Sequence, residues 1–247
     1  MLALTGYALL GGDEDASPTA GGGGASPSAS STNSAPTSPA PTYAAPEDWT
    51  EPERWVALPR GEDTDERGSE VGFPHTTEGA VAMAAAANTT SVEADRSTVD
   101  EQLRIYHSYL STADRSDANV EAIEQNAQQT DKDLRKEMSV GAGQPLPSGA
   151  YLRSHVIGYK IVTESTDEVG VWLLSRVVQK TGETAKEISS YTRTLVGAAW
   201  EDGDWKLSGA VTDRVQQEAQ AQDEPKMVAP GDAEFNAAGW TAIRDAS

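Results

Sequence analysis

Two amphipathic segments stand out in the middle of the chain. Between Ser97 and Ser139 apolar residues recur every three or four positions, which is the period of an α-helix. The first stripe contains Val99, Leu103, Tyr106, Leu110 and Ala113, and the second contains Val120, Ile123, Ala127, Leu134 and Met138. A polar break from Asp114 to Asn119 separates them. We expect two core-facing helices, the first starting at Ser97 or Thr98, where Thr98–Glu101 fits a capping box.

The next seventy residues alternate with a period of two, which is typical of β-strands. The pattern predicts long strands within residues 151–165, 169–181 and 185–200 and a short fourth strand within 204–209. The third and fourth are joined by Trp200-Glu201-Asp202-Gly203-Asp204-Trp205, in which Asp-Gly is a strong hairpin signal. Short connections between successive strands predict an antiparallel sheet. His155 and Tyr159 on the first strand are candidates for inward polar groups, but no acid accompanies them.

A short motif precedes these elements. Residues 72–87 read GFPHTTEGAVAMAAAA, in which Gly72 and Pro74 predict a turn and Thr76 a helix N-cap. Glu78 lies in the first turn, where negative charge is favoured, and the helix should end near Asn88. His75 is either a ligand or acid/base group, or a structural turn residue, and we expect the structural role.

Aromatic residues near both ends of the foldable region suggest docking. Residues 47–60 place Trp49, Trp55, Val56 and Leu58 in a polar context, and exposed tryptophan is unfavourable. This segment therefore docks on its own domain or on a partner, and we expect its own domain. Trp240 is expected to anchor the C-terminal tail, with a partner-binding motif as the alternative.

The N-terminal part is not predicted to fold. Residues 1–12 are apolar but shorter than the roughly 20 residues that span a bilayer. Either the true start lies upstream and Met1 lies within a membrane helix, or these residues are a disordered terminus; the return of charge at Asp13 favours the first. Residues 16–46 are a flexible stalk rich in Gly, Ser and Pro. The predicted organisation is an anchor remnant (1–12), a stalk and docking segment (13–70), an α+β domain (71–209) and an acidic tail (210–247).

Charge and cysteine content limit the possible functions. The net charge is −20, of which residues 1–70 carry −9 and residues 141–209 only −1. This surface repels phosphate backbones, so we predict no nucleic-acid partner. The absence of Cys excludes disulfides, thiol catalysis and thiolate metal sites. No catalytic, cofactor-binding or metal-binding residues are predicted, and no cofactor is expected.

Two resemblances follow from these motifs. Helices followed by an antiparallel meander that closes with W-x-D-G-D-W resemble the cystatin-like cone of the nuclear transport factor two superfamily, over residues 71–209. The motif residues also resemble a family of uncharacterised actinobacterial single-pass membrane proteins, found in part near conjugative-element genes. The matching residues are Trp55, Leu58, Pro59, Gly72, Phe73, Pro74, His75, Thr76, Glu78, Gly79 and Ala80. The incomplete membrane helix, and Thr77 in place of an expected Pro, depart from that family's pattern.

These observations predict a fold class and a function class. The fold class is α+β, with N-terminal helices packed on a curved antiparallel sheet of about four strands, preceded by a disordered stalk. The resemblance implies a non-catalytic interaction domain tethered to the cell membrane, on the extracytoplasmic side, with other envelope proteins as partners in a conjugation or envelope complex. The chain would be soluble if the apolar stub were its true start. The alternative is a ligand-binding or enzymatic domain that uses the concave side of the sheet. The candidate motif residues are Trp55, Leu58, Pro59, Phe73, Pro74, His75, Thr76, Glu78 and Trp240.

Overall fold

A seven-stranded mixed sheet with helices on both faces forms the centre of the structure. The computed structural model describes residues 48–93, 96–141 and 144–244, so the predicted anchor remnant and the low-complexity stalk up to residue 46 lie outside the described residues. The strands are β1 (Trp55–Ala57), β2 (Asp63–Thr64), β3 (Glu70–Val71), β4 (Thr90–Val92), β5 (Ala150–Glu164), β6 (Glu168–Thr181), β7 (Ile188–Glu201), β8 (Asp204–Leu207) and β9 (Thr241–Arg244). The helices are α1 (Thr77–Asn88), α2 (Thr98–Tyr109), α3 (Asp117–Glu137), α4 (Gly209–Ala219) and α5 (Ala233–Ala237), with a 3₁₀ turn at Thr112–Asp114.

The predicted fold class is wrong in the size and the direction of the sheet. The order is β1-β9-β5-β6-β7-β8, with β4 also paired to β5, and β2 and β3 form a separate hairpin. β1 runs parallel to β9, with Trp55 opposite Ala242, so the sheet is mixed. The expected cone of about four antiparallel strands therefore does not describe this chain. The reason is physical: β1, β4 and β9 have three or four residues each, too few to show an alternating pattern.

The alternation along β6 defines the two faces of the sheet. Val169, Val171 and Leu173 point to one face and join the main core with α1, α2 and the hairpin residue Trp205. Leu174 points to the opposite face and packs with Phe235 and Trp240 of the C-terminal segment. Helices therefore cover both faces, with α1 and α2 on the first and α4 and α5 on the second.

Local capping decides where the helices begin. Ser97 caps α2 and forms a reciprocal capping box with Asp100, so the box lies one residue earlier than Thr98–Glu101. Ser116 caps α3 by accepting from the Asn119 N–H, so α3 begins inside the predicted polar break. α3 packs along α2 and closes a second core cluster through Leu134 and Met138.

The C-terminal residues are part of the sheet architecture. α4 crosses the second face with Val211 over Gly197 and Val215 over Gly170, two glycines that face each other across β7 and β6. A Cβ at either glycine would lie within 2.4 Å of α4 atoms, so this close helix–sheet approach requires glycine. β9 then inserts between β1 and β5.

No helix of the described residues is long and apolar enough to cross a bilayer.

Candidate functional site

The sequence motif around His75 docks the start of α1 onto the β7–β8 hairpin. The buried Phe73 donates its backbone N–H to Asp204 Oδ1 at 3.0 Å. The Pro74 carbonyl accepts from the Trp205 indole N–H at 2.9 Å. Trp205 is fully buried, and its ring lies 5.4 Å from that of Trp200, directly across the hairpin, at an angle of 72°. Motif and hairpin are therefore one packed unit, although 131 residues of sequence separate them.

The hairpin turn has the geometry that its sequence predicts. Asp202 and Gly203 have φ values of 54° and 85°, which a type I′ turn requires. The turn brings Trp200 opposite Trp205 and Glu201 opposite Asp204. Asp204 accepts from Phe73 and from the Lys206 ammonium, so it serves as a structural acceptor.

His75 is held by aromatic stacking and one carboxylate. Its ring lies 3.9 Å from the Trp200 ring at an interplanar angle of 9°, and 5.6 Å from Trp205 in an edge-on contact. Nε2 lies 3.0 Å from Asp167 Oδ1 in the β5–β6 turn. The side chains of His75 and Asp167 are 36% and 66% exposed. This arrangement orders the ring at the protein surface without burying it. Catalytic acid/base groups usually lie in clefts that exclude water, and this pair does not.

The rest of the motif begins α1. Thr76 caps the helix by accepting from the Gly79 N–H at 3.0 Å, and Glu78 lies in the first turn. Thr77, where a Pro was expected from the sequence, donates its hydroxyl to Glu164 at 3.2 Å. A Cβ on Gly79 would lie 1.9 Å from the Pro74 carbonyl oxygen, so the turn and the helix can meet this closely only at glycine.

The tryptophan segment before the motif lies at the other edge of the sheet. Glu51 accepts from the indoles of both Trp49 and Trp55, at 3.0 and 2.7 Å. These two hydrogen bonds lower the pKa of Glu51. Trp55 also lies under the Arg244 guanidinium, 5.2 Å from it. The segment therefore contacts the last strand of its own chain.

The candidates Leu58, Pro59 and Trp240 lie in the interior or at its margin. Leu58 is half-buried against the main core, and Pro59 is half-buried beside it. Trp240 is buried and donates its indole N–H to the Lys226 carbonyl at 2.7 Å. Trp55 and Trp240 belong to one cluster on the second face, whereas the His75 unit lies on the first, so the structure does not gather the nine candidates into one site.

The inward pair suggested by the first long strand is not formed. His155 lies opposite Arg176 and is exposed, whereas Tyr159 lies opposite Leu173 and is buried. Arg176 and Leu173 point to opposite faces of β6, so the two side chains do not share a site. Burial raises the pKa of Tyr159.

A polar network under α2 was not predicted from sequence. Glu101 is buried and pairs with Arg104 at 3.1 Å and Arg96 at 3.0 Å. Asp65 accepts from the Ser108 hydroxyl at 2.6 Å and from the Ser69 backbone. Burial raises the pKa of Asp65, but these hydrogen bonds outweigh it and leave the pKa below its usual value. The network fastens the β2–β3 hairpin to α2.

Two open grooves lie outside these clusters. One, of about 520 Å³, lies on the second face, with Trp172 and Leu195 as apolar lining and Asp213 and Glu224 among its polar residues. The other, of about 700 Å³, lies over β1, β5 and β9 and is lined by Arg54, Lys160 and other residues. Within the described residues, no group of three or more His, Asp or Glu side chains is arranged to hold a metal ion.

Comparisons with known proteins add no relative: no family model, curated protein or solved structure matches this chain.

Sequence reasoning missed the partners of His75. Asp167 and Trp200 lie 92 and 125 positions later, and no local pattern links them to the motif. The signal that was available was the paired tryptophans flanking Asp-Gly, which mark a hairpin with an aromatic face.

Proposed function

We propose that this chain is a non-catalytic protein-interaction domain, tethered to the cell membrane on the extracytoplasmic side, that acts in a conjugation or envelope complex. The motif resemblance supports the class. The single observation that carries the proposal is where the chain enters the sheet. Thr50 donates its backbone N–H to Gly231 at 2.7 Å, and β1 then forms one edge strand beside β9. A tether entering there leaves the opposite edge, β7 and β8, free for partners.

The roles of the motif residues are consistent with binding rather than catalysis. Thr76 and Gly79 build a helix start, Phe73 and Pro74 fasten it to the hairpin, and His75 stacks on the hairpin face. These contacts stabilise one corner of the domain next to the β5–β6 turn. They support a surface that is held rigid, which lowers the entropic cost of binding a partner.

Protease accessibility in cells that carry the full chain tests the extracytoplasmic location. In protoplasts, added protease should degrade the chain while a cytoplasmic control protein survives. Protection of the chain in intact protoplasts would contradict the extracytoplasmic assignment.

Photocrosslinking tests the interaction surface. A photoreactive amino acid at the exposed Thr166, beside Asp167, should give an adduct with another envelope protein, identified by mass spectrometry. The same substitution at the exposed Glu53, near β1, is the matched control and should give no such adduct. Adducts from Glu53 alone, or from neither position, would argue against a partner surface at the far edge.

A second candidate function rests on the groove beside Trp172. Its volume of about 520 Å³ lies within the range of small-ligand sites, about 300–1,000 Å³. Ligand binding there should quench Trp172 fluorescence, and Trp172→Phe should remove the quenching. No quenching by a broad panel of metabolites would leave the interaction proposal as the better one.

A further inference from the structure

The outer edge of β7 is unpaired over most of its length. β7 spans Ile188–Glu201, but β8 pairs with it only from Ala198 to Glu201. No other strand in the part of the chain that the structure describes pairs with residues 188–197 on that side. An extended strand edge of this length exposes a row of backbone donors and acceptors.

The backbone groups that face outward can be identified. The Gly197 N–H donates to Thr212 Oγ1, and the Gly197 carbonyl accepts from Ser208, so both Gly197 groups point away from β6. Because the direction alternates along a strand, the same holds for every second residue before Gly197. These outward residues are Ser189, Tyr191, Arg193 and Leu195.

Residues 188–197 lack the sequence features that normally block strand pairing, and α4 and the segment after it contact this edge at Gly197 and Arg193. Residues 188–197 contain no Pro and no Lys, and the β6–β7 pairing has no bulge. Arg193 is the one charged residue in the segment, and Glu224 already pairs with it. Ile188 is 57% exposed at the start of the strand. Although the chain has a net charge of −20, residues 188–197 contain no Asp or Glu, so pairing of two such segments places no carboxylate of one opposite a carboxylate of the other.

We propose that β7 pairs with β7 of a second copy of this chain, antiparallel and around a two-fold axis, with Thr192 opposite Thr192 of the partner subunit. This self-association goes beyond the proposed function and does not depend on where the protein resides. The two sheets would then form one continuous sheet, with the two β1 edges at its far ends.

The register follows from which outward residues can pair. With Thr192 at the axis, Ser189 pairs with the partner's Leu195, and Tyr191 with the partner's Arg193, so all four outward residues of each copy are used. If the two-fold axis moves by one residue, to Tyr191 or to Arg193, one outward residue of each copy is left unpaired. An axis at Arg193 also places this residue opposite the partner's Arg193, and like charges directly opposite are destabilising.

The same register covers the exposed isoleucine. Ile188 falls opposite the partner's Val196, and both side chains lie on the same face because they are an even number of residues apart. Arg193 and the partner's Tyr191 likewise lie on one face of the joined sheet. Self-pairing therefore buries the apolar side chain that β7 leaves in solvent.

The absence of Cys allows a crosslinking test of this register in the full chain. Thr192→Cys places two thiols at a non-hydrogen-bonded pair, with Cα atoms about 4.5 Å apart, within reach of a disulfide. Ser190→Cys and Thr194→Cys are matched controls, because each thiol lies about 14 Å from its own symmetry mate. We expect Thr192→Cys to form a disulfide-linked dimer by itself. Neither control should do so by itself, but an equal mixture of Ser190→Cys and Thr194→Cys should, because these two positions lie opposite each other in this register. No dimer from Thr192→Cys, or equal dimer from all three variants, would overturn the proposal.

Sedimentation tests the interface without a covalent bond. The wild-type chain should sediment with about twice its mass of 26.1 kDa. Thr192→Lys should halve that mass, whereas an equal mixture of Thr192→Lys and Thr192→Glu should restore it. Ala57→Lys on the opposite edge of the sheet is the control and should stay dimeric, and circular dichroism verifies that each variant is folded. A monomeric wild type, including one that binds an extended peptide at this edge, would refute pairing between copies.

Discussion

Replacing Gly79 by Ala tests whether the motif is a structural unit. Gly79 lies in the first turn of α1, where Ala would ordinarily favour the helix by about 1 kcal/mol. Here the added Cβ would lie 1.9 Å from the Pro74 carbonyl oxygen and 2.9 Å from its carbon, both backbone atoms that cannot rotate away. We therefore expect Gly79→Ala to lower the free energy of unfolding, although Ala favours the helix itself.

The magnitude follows from what the Pro74 carbonyl does. It accepts from the Trp205 indole at 2.9 Å and from the Thr76 N–H at 2.8 Å. Displacing it weakens two hydrogen bonds worth about 1 kcal/mol each, and overpacking adds about 1–3 kcal/mol. After subtraction of the helix gain, Gly79→Ala should lower the free energy of unfolding by about 2–4 kcal/mol. For a domain of this size, that corresponds to a fall in Tm of about 5–15 °C.

Thermal unfolding followed by circular dichroism measures this difference. Gly182→Ala is the matched control, because its Cβ would meet nothing closer than the Ser148 carbonyl oxygen at 4.0 Å. The control should change the free energy of unfolding by about 0.5 kcal/mol or less, as surface substitutions do. A Gly79→Ala variant as stable as the wild type, or more stable, would refute the contact between turn and helix described here.

Two other predictions concern titratable residues. His75→Ala should lower the free energy of unfolding by about 1–2 kcal/mol, the sum of a stacked pair with Trp200 and a surface hydrogen bond with Asp167. His75→Phe should recover most of that loss in urea titrations, and equal losses for Ala and Phe would show that stacking contributes nothing. Asp65→Asn should reduce stability at pH 7, because the lowered pKa of Asp65 means that its carboxylate stabilises the fold above its unfolded pKa. That stability is lost as the pH falls through the folded pKa, so the Tm difference from wild type should narrow below about pH 4, and a difference independent of pH would contradict the role of its bond to Ser108.

Sequence reasoning located elements with a strong local signal. The long strands β5, β6 and β7 show alternation over fourteen residues or more, and the Asp-Gly turn between β7 and β8 is a sharp signal of its own. Thr76 as the cap of α1 was likewise readable from residue type and position. Each of these features depends on residues within one or two turns of each other, which is the range over which periodicity and capping act.

The sheet edge that contains β1 and β9 had no such signal. β1 is three residues long, and its pairing with β9 joins Trp55 to Ala242 across most of the chain. Pairing of this kind is decided by burial of Trp240 and Phe235 against β6, not by local preference. This is why an antiparallel sheet of four strands was expected where a mixed sheet of seven is found.

The surroundings of His75 could not be predicted from local sequence either. His75 was singled out by its motif, but its structural role depends on Trp200 and Asp167, which lie on other elements. A sequence pattern can indicate that a histidine matters without indicating what surrounds it. Its ring geometry and exposure favour the structural interpretation over the acid/base one.

The two edges of the sheet differ in how they are protected against pairing with a further strand. At the β1 edge the strand is three residues long and is flanked by Pro52 and Pro59, and both features discourage further pairing. At the β7 edge, no strand in the described part of the chain pairs with residues 188–197 on their outer side, and these residues include no Pro or Lys. If strand protection were selected at every edge, both would have such blocks. Protection at the β1 edge alone is what self-association through β7 requires, because β7 must stay able to pair, and the Thr192→Cys experiment tests that pairing.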